Sequence, residues 1–413
     1  MKLIIQALLL LALTIPFIGL SQNITPPLSD LDTLYQTLIQ KHPKLIGGKA
    51  REQFDSLYKK IRSKYSSYTR NQRIFKMTEL VASMHDGHSA MGIRYDTAYH
   101  FHELPVNLYV FQDGIFIRRA AEPYGKYAGM KVLKIGTLPV DTVVKRLLPL
   151  IHGENASAVK DILPSRLIIP ELLQYIGAIT STDVVPYLLE DSMKVQYTVI
   201  LKTVSFNENL KWVSAQNSTT PMPLYLQNTD KNYWYAYIDS IQLFYFHFSA
   251  VKDMDDISFE KFVEQMFKKI DSLPIRKMVI DIRRNNGGDN TLNKPLIHAL
   301  IRSDKVNQKG KLFVIIGRNT FSAAVNLATD LENHTNAVFV GEPTAAGPNH
   351  FGETTVFHLP VSKLLVLHSS LFWQFSSPKD KRNSIEPGVP INLTWRDYKN
   401  NLDPCLLAVI KLK

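Results

Sequence analysis

The chain has 413 residues, 48 Lys and Arg against 37 Asp and Glu, a formal net charge of +11 and a single cysteine. This length exceeds one typical hydrophobic core and predicts two or three domains. The lone Cys405 excludes an intrachain disulfide framework and any zinc site built on cysteine. Basic residues are spread along the chain without long runs, which favours an ordinary basic surface over nucleic-acid binding.

Residues 1–21 have the layout of a secretory signal peptide. Lys2 precedes an apolar run, and Gly19 and Ser21 are the small residues at the −3 and −1 positions of a cut after Ser21. An uncleaved N-terminal anchor is the alternative. No later stretch approaches the roughly 18 unbroken apolar residues of a membrane-spanning helix. We therefore expect an exported chain, periplasmic or secreted, without stable membrane insertion once the signal is removed.

Residues 22–100 are predicted to form a helical domain. Apolar residues recur at helical spacing in three stretches, residues 31–39, 54–61 and 74–84. The third helix begins near Thr69 and ends before His88, and we expect Gly87 to take the positive φ of a helix C-cap.

Residues 101–205 change to alternating apolar and polar residues, which predicts a small mixed domain. It has strands at residues 105–111, 114–118, 131–135 and 195–201 and a helix that begins at Asp141. The polar residues 206–232 are interpreted as a linker to the rest of the chain.

Residues 233–413 alternate predicted strands and helices. The strands lie at residues 234–238, 243–248, 278–282, 312–316 and 337–340, and the helices at residues 259–273, 291–303 and 322–332. Two successive βαβ units predict parallel pairing with right-handed crossovers.

Two loops that follow predicted strands carry residues suited to chemistry. Gly287 and Gly288 can free backbone N–H groups to face a ligand. Ser322 opens a helix, where negative charge developing on its hydroxyl would be stabilised. From these residues alone, a plain N-cap role for Ser322 and a nucleotide site at the glycines stay open, although G-x-G-x-x-G is absent.

The motifs resemble those of the tail-specific, C-terminal-processing serine peptidases (family S41), which include the core of tricorn protease. The resemblance covers about residues 30–410 in order. It rests on the D-L-R-x-N-x-G-G-like residues 279–288, the nucleophile motif around Ser322, Gly341-Glu342-Pro343-Thr344, Asp86-Gly87-His88, Ile385-Glu386-Pro387 and the PDZ-like residues 128–140. It implies an α/β protein with a ClpP/crotonase-like catalytic core at residues 233–413, preceded by the helical domain and a PDZ-like domain at residues 101–205.

The resemblance also implies a set of site residues. No lysine occurs between Leu312 and Ser362, so the Ser–Lys dyad of the processing branch is excluded, and the tricorn-like branch uses a histidine. The implied roles are Ser322 as nucleophile, His88 as base and Asp380, or alternatively Glu386, as the third triad member. The implied oxyanion hole uses the N–H groups of Gly287 or Gly288 and of Ala323. His350 is expected to face the substrate, with the role of base as its alternative.

We therefore expect an exported serine-type peptidase that acts on polypeptides without a cofactor. No metal is expected, because His85 and His88 have no third ligand at a suitable spacing. The alternative is a catalytically inactive protein of the same fold that binds peptides or hydrophobic ligands. An acyl-CoA enzyme of the crotonase fold is a third class, and the predicted export and the Ser322 motif argue against it.

Overall fold

The computed structural model describes residues 29–93, 101–206 and 208–412 of the chain. The predicted signal peptide, residues 1–21, lies outside the described residues, so export stays a prediction. None of the described helices is long and apolar enough to cross a membrane.

The chain begins with three helices, as the apolar spacing predicts: α1 (Asp30–Lys41), α2 (Gly48–Arg62) and α3 (Arg70–Ala82). Ser29 caps α1, and Thr69 and Gln72 form a reciprocal capping box at the start of α3. The apolar residues of these helices pack into one buried cluster with those of the following sheet.

The turn after α3 differs from the prediction. His85, not Gly87, takes the positive φ, at 47°. Gly87 is needed for a different reason, since a Cβ there would lie 2.7 Å from the ring of Phe321. The absence of a side chain at Gly87 lets the segment that carries His88 approach the loop that carries Ser322.

A largely antiparallel region follows α3. Its elements are β1 (Ala90–Met91), β2 (His102–Glu103), β3 (Val106–Phe111), β4 (Gly114–Ala121), β5 (Lys131–Ile135), β6 (Leu138–Pro139), α4 (Val140–Leu147), α5 (Ala156–Arg166), α6 (Pro170–Tyr175), β7 (Val184–Glu190), β8 (Gln196–Lys202), β9 (Val204–Ser205) and β10 (Trp212–Ser214). Seven of these strands form one sheet, whose main path runs β10-β4-β5-β7-β8 with β3 on β4 and β6 on β5. Strand β10 lies within the predicted linker and pairs with β4.

The remaining elements are β11 (Tyr233–Ile238), β12 (Leu243–Phe248), α7 (Phe259–Ser272), β13 (Lys277–Asp281), α8 (Lys294–Arg302), β14 (Leu312–Ile316), α9 (Ala323–His334), β15 (Val338–Gly341), β16 (Asn349–His358), β17 (Leu365–Gln374), β18 (Val389–Pro390), α10 (Trp395–Lys399) and α11 (Pro404–Lys411). Six strands form a sheet in the order β11-β12-β13-β14-β15-β18, parallel from β12 to β18. The predicted α/β class and the parallel pairing are confirmed.

The centre of this sheet is buried throughout. Every residue of β12, β13 and β14 is buried, because helices cover both faces of a parallel sheet. This explains the near-continuous apolar runs in the sequence. It also leaves the loops at the carboxyl ends of β13 and β14 as the places where the sheet can present polar groups.

A third sheet, in the order β1-β17-β16, joins distant parts of the chain. Met91 of β1 pairs with Val366 of β17, so the segment that follows His88 is bound to the hairpin of β16 and β17. The sequence analysis did not predict this hairpin. It brings the N-terminal helical part against the part of the chain that forms the parallel sheet.

Candidate active site

The two loops at the carboxyl ends of β13 and β14 are fastened to each other. Asn285, which is buried, donates from its side-chain amide to the carbonyl of Phe248 over 3.1 Å. Its carbonyl accepts the N–H of Phe321 over 3.0 Å. The glycine-containing loop and the serine-containing loop therefore form one unit at the edge of the parallel sheet.

Ser322 has an uncommon backbone conformation, with φ 54° and ψ −127°, directly before α9. A non-glycine residue rarely adopts such angles, and they are maintained where the surrounding structure imposes them. Its side chain makes no capping hydrogen bond to the helix, so the plain N-cap interpretation does not fit. The sharp turn instead presents the hydroxyl at the positive end of α9.

His88 reaches this hydroxyl from the N-terminal part of the chain. Its Nε2 lies 3.0 Å from Oγ of Ser322, and its ring stacks on Phe321 with 4.3 Å between ring centroids. Burial lowers the pKa of His88, although the Asp86 carboxylate, the Phe351 carbonyl and the Glu353 carboxylate act in the opposite direction. The imidazole is therefore neutral at neutral pH and able to accept the serine proton.

The backbone donors near Ser322 differ from one another in availability. The N–H of Gly287 already donates to Oδ1 of Asn285 over 2.9 Å. Within the described ranges, the N–H groups of Gly288 and Ala323 have no hydrogen-bond acceptor. Of the two glycines predicted for an oxyanion hole, Gly288 is thus the one with a free donor, and Ala323 supplies the second.

Gly287 has a spatial role instead. A Cβ at this position would lie 2.7 Å from Cβ of Ser322 and 2.8 Å from the backbone nitrogen of Ala323. Its φ is 100°, in the region that favours glycine. The residue lets the glycine-containing loop pass directly beside the turn that carries Ser322.

Asp380 is not placed beside His88. Its carboxylate instead binds the guanidinium of Arg382 and accepts from the hydroxyl of Ser376 over 2.9 Å. The alternative, Glu386, is exposed and accepts from the Ser384 hydroxyl over 2.6 Å. Spacing along the sequence suggested these carboxylates, but the loop between β17 and β18 directs both of them to local partners.

His350 lies next to His88 and has no hydrogen bond to Ser322. Its ring is parallel to that of His88, with 5.9 Å between centroids, and it is only 2% exposed. Its Nδ1 pairs with the carbonyl of Gly347 over 2.9 Å. Burial and the neighbouring His88 lower the pKa of His350 to about 4. Its role toward a substrate stays a prediction.

Sequence reasoning missed several polar residues behind His88. Asp86 is 1% exposed and lies with His42 and Ser369 in a buried hydrogen-bonded cluster. Glu154, from the loop before α5, lies close to both Asp86 and His88. The sequence analysis named Asp86 only as part of a motif. Its hydrogen-bond partners could not be predicted, because they come from the C-terminal end of α1 and from β17, far away in the sequence.

The cluster offers a metal ion few free ligand atoms. Among the residues that the structure describes, Asp86, His88 and Glu154 are grouped closely enough to suggest a metal site. However, Oδ2 of Asp86 already accepts from His42, Ser89 and Ser369, and Oδ1 accepts the backbone N–H of His88. Most of the lone pairs that a cation would need are therefore in use.

Comparison with known proteins gives the fold. No protein family model and no curated protein sequence matches the chain. Two structures of mature CPAF, one complexed with lactacystin, overlap it with a TM-score of 0.63 at 12% identity, covering 90% of this chain and 94% of CPAF. The photosystem II D1 C-terminal processing protease covers 92% of this chain and 95% of its own, at 14% identity, but its TM-score of 0.42 is too low to bear on the assignment. The chain therefore has the fold of CPAF.

Replacing Gly287 by Ala tests whether the close approach of the two loops matters. The added methyl group would displace Ser322 or Ala323, so we expect labelling by a fluorophosphonate to slow by about 10²-fold, the scale of losing one oxyanion donor. Gly47→Ala is the matched control, since a Cβ there meets nothing within 4 Å. Equal labelling rates for the two variants would show that the loop contact has no chemical role.

Proposed function

We propose that this chain is a serine-type peptidase with Ser322 as nucleophile and His88 as general base. The observation that carries the proposal is the 3.0 Å contact between His88 Nε2 and Ser322 Oγ at the N-terminus of α9. The fold adds support, because solved structures similar to the chain are serine peptidases of the S41 class.

The reaction would follow the general course of acyl transfer through serine. Neutral His88 takes the Ser322 proton on Nε2 as Oγ attacks the substrate carbonyl carbon. The resulting oxyanion is stabilised by the N–H groups of Gly288 and Ala323 and by the dipole of α9. The imidazolium then protonates the leaving amine, and water, activated by the same imidazole, releases the acyl group.

The surface beside the base suits an extended polypeptide. Strand β16 is an edge of its sheet and pairs only with β17 among the described strands. Gly352 of this strand lies against His88, since a Cβ there would be 3.6 Å from the imidazole Cε1. An extended peptide that adds to this edge by backbone pairing would pass the Ser322–His88 pair.

An inactive binding protein is the second candidate. A cavity of about 530 Å³ lies beyond the two loops, lined in part by Asn286 and Asn319 but not by Ser322 or His88. Its lining includes Arg118, Arg283, Arg284, Arg318 and Lys160, which does not suit a purely hydrophobic ligand. The cavity therefore gives the hydrophobic carrier hypothesis little support.

The Ser322→Ala variant tests the nucleophile. Removal of a triad member typically lowers kcat by about 10⁴- to 10⁶-fold, so turnover of an unfolded protein substrate such as casein should vanish. The exposed Ser272, replaced by Ala, is the matched control and should keep full turnover. A folded Ser322→Ala protein with wild-type turnover would contradict the proposal.

The pH dependence of kcat/KM tests the assignment of His88 as the base. Because burial lowers the pKa of His88, kcat/KM should rise with pH through an apparent pKa below the usual histidine value of about 6.5. Activity should thus persist into mildly acidic solution. A profile that rises only above neutral pH would point to a different base, such as a lysine.

We also propose that the chain is exported, periplasmic or secreted, with removal of residues 1–21. The support is the basic Lys2, the apolar run and the small residues Gly19 and Ser21. Intact-mass measurement of the protein recovered outside the cytoplasm should show Gln22 as the first residue. Recovery of cytoplasmic protein that still begins at Met1 would reject this proposal.

A further inference from the structure

Two carboxyl groups lie beside the proposed base. A side-chain oxygen of Asp86, an imidazole nitrogen of His88 and a side-chain oxygen of Glu154 all lie within 4.8 Å of one another. Nε2 of His88 is engaged by Ser322, and its Nδ1 is buried without a hydrogen-bond partner among the described residues. The question is which of the two groups supports the imidazolium that forms during catalysis.

Asp86 is surrounded by donors. Its carboxylate accepts from the hydroxyls of Ser89 over 2.5 Å and Ser369 over 2.6 Å, and from His42 Nε2 over 2.8 Å. It also accepts the backbone N–H of His88 over 3.0 Å. These donors come from the end of α1, from the loop after α3 and from β17, so the carboxylate binds three separate parts of the chain together.

The tautomer of His42 agrees with this arrangement. Its Nδ1 accepts the backbone N–H of Lys44 over 3.1 Å, which leaves the proton on Nε2. The ring therefore donates to Asp86. His42 is completely buried, so this donor cannot exchange its partner for water.

The surroundings of the two carboxyl groups differ. Burial acts to raise the pKa of Asp86, but the donors from His42, Ser369 and Ser89 outweigh it and hold this pKa well below its usual range. Burial and the adjacent Asp86 raise the pKa of Glu154 to about 8, against weaker opposing contributions from Lys44 and the backbone N–H groups of Gly347 and Gly87. At neutral pH one group is an anion and the other is a neutral acid.

We propose that the carboxylate that supports His88 is that of Asp86, and not that of Asp380 as the sequence spacing predicted. Resting on the proposed function, this inference makes Asp86 a positioning residue. Its carboxylate fixes the loop through the N–H of His88, and its charge stabilises the imidazolium. When Ser322 attacks, the proton moves from Oγ to His88 Nε2, and Asp86 takes up no proton.

Other charged or titratable groups also face the base, from several elements. They are Glu353 and His350 on β16, His152 and Glu154 before α5, and Lys44 after α1, which lies near Asp86 and Glu154. Burial lowers the pKa of His152 to about 3, so this ring is neutral. Of the acidic groups near His88, Glu353 is exposed, which leaves Asp86 as the buried anion beside the base.

The test is the ionisation of His88 in the free protein, followed by NMR of its ring protons. Asp86→Asn removes the charge but keeps an oxygen for the His88 N–H. We expect the pKa of His88 to fall further and kcat to drop by about 10²- to 10⁴-fold. Asp304→Asn, which removes an exposed carboxylate from the loop after α8, is the charge control and should change neither quantity.

Two further variants separate the carboxyl groups. Glu154→Gln should leave the acidic limb of the kcat/KM profile unchanged, because the group it replaces is already neutral there, and should alter the profile only near pH 8. If Asp380→Asn lowers the pKa of His88 while Asp86→Asn does not, the inference is overturned. The NMR measurement needs no substrate, so it decides this point even if the chain proves not to be a peptidase.

If Asp86→Asn fails to fold, Ser369→Ala provides a second test. Ser369→Ala removes one donor from Asp86 and keeps its charge, so the pKa of Asp86 should rise. Because the carboxylate keeps its charge and has one donor fewer, the pKa of His88 should not fall in this variant. A fall in the pKa of His88 in Ser369→Ala would count against Asp86 as the charge that stabilises the imidazolium.

Discussion

The contact of 3.0 Å between His88 and Ser322 joins two parts of the chain that fold around different cores. Ser322 belongs to the parallel sheet and its helices, whereas His88 follows the N-terminal helices. The imidazole can reach the hydroxyl only because Gly87 has no side chain against Phe321 and because β1 is bound to β17. Any chemistry at Ser322 therefore depends on how the two parts are held together.

The buried carboxylate of Asp86 is the centre of that attachment. It receives donors from the end of α1 and from β17, and it also accepts the N–H of His88. Removing one donor leaves the buried carboxylate with an unsatisfied acceptor, which typically costs about 1–3 kcal/mol. The same interactions thus contribute to the fold and to the position of His88.

The sequence predicted most of what depends on local pattern. The strands of the parallel sheet, the amphipathic helices and the place of Ser322 at a helix start follow from periodicity and turn chemistry, and the structure has them with small shifts in their ends. The hairpin of β16 and β17 was missed, although it decides what lies beside His88. The side chain of Asn285 accepts the N–H of Gly287, whereas the N–H of Gly288 stays free. The spacing of residues in the sequence does not reveal this difference.

The third carboxylate shows the limit of reasoning by spacing. Asp380 lies at the expected distance along the chain, but its carboxylate forms an ion pair with Arg382, two residues later. Asp86 lies two residues before His88. It belongs to the Asp86-Gly87-His88 motif, but the motif did not assign it a role. Its environment is formed by His42 and Ser369, whose proximity arises only in the folded molecule.

The pairing of Ser322 with His88 is tested most sharply by the site at which a fluorophosphonate attaches covalently to the wild-type protein, mapped by peptide mass spectrometry. If Ser322 and His88 act as proposed, one adduct forms, on Ser322, at a rate governed by the neutral fraction of His88. An adduct on a different serine, or no adduct on folded protein, would contradict it.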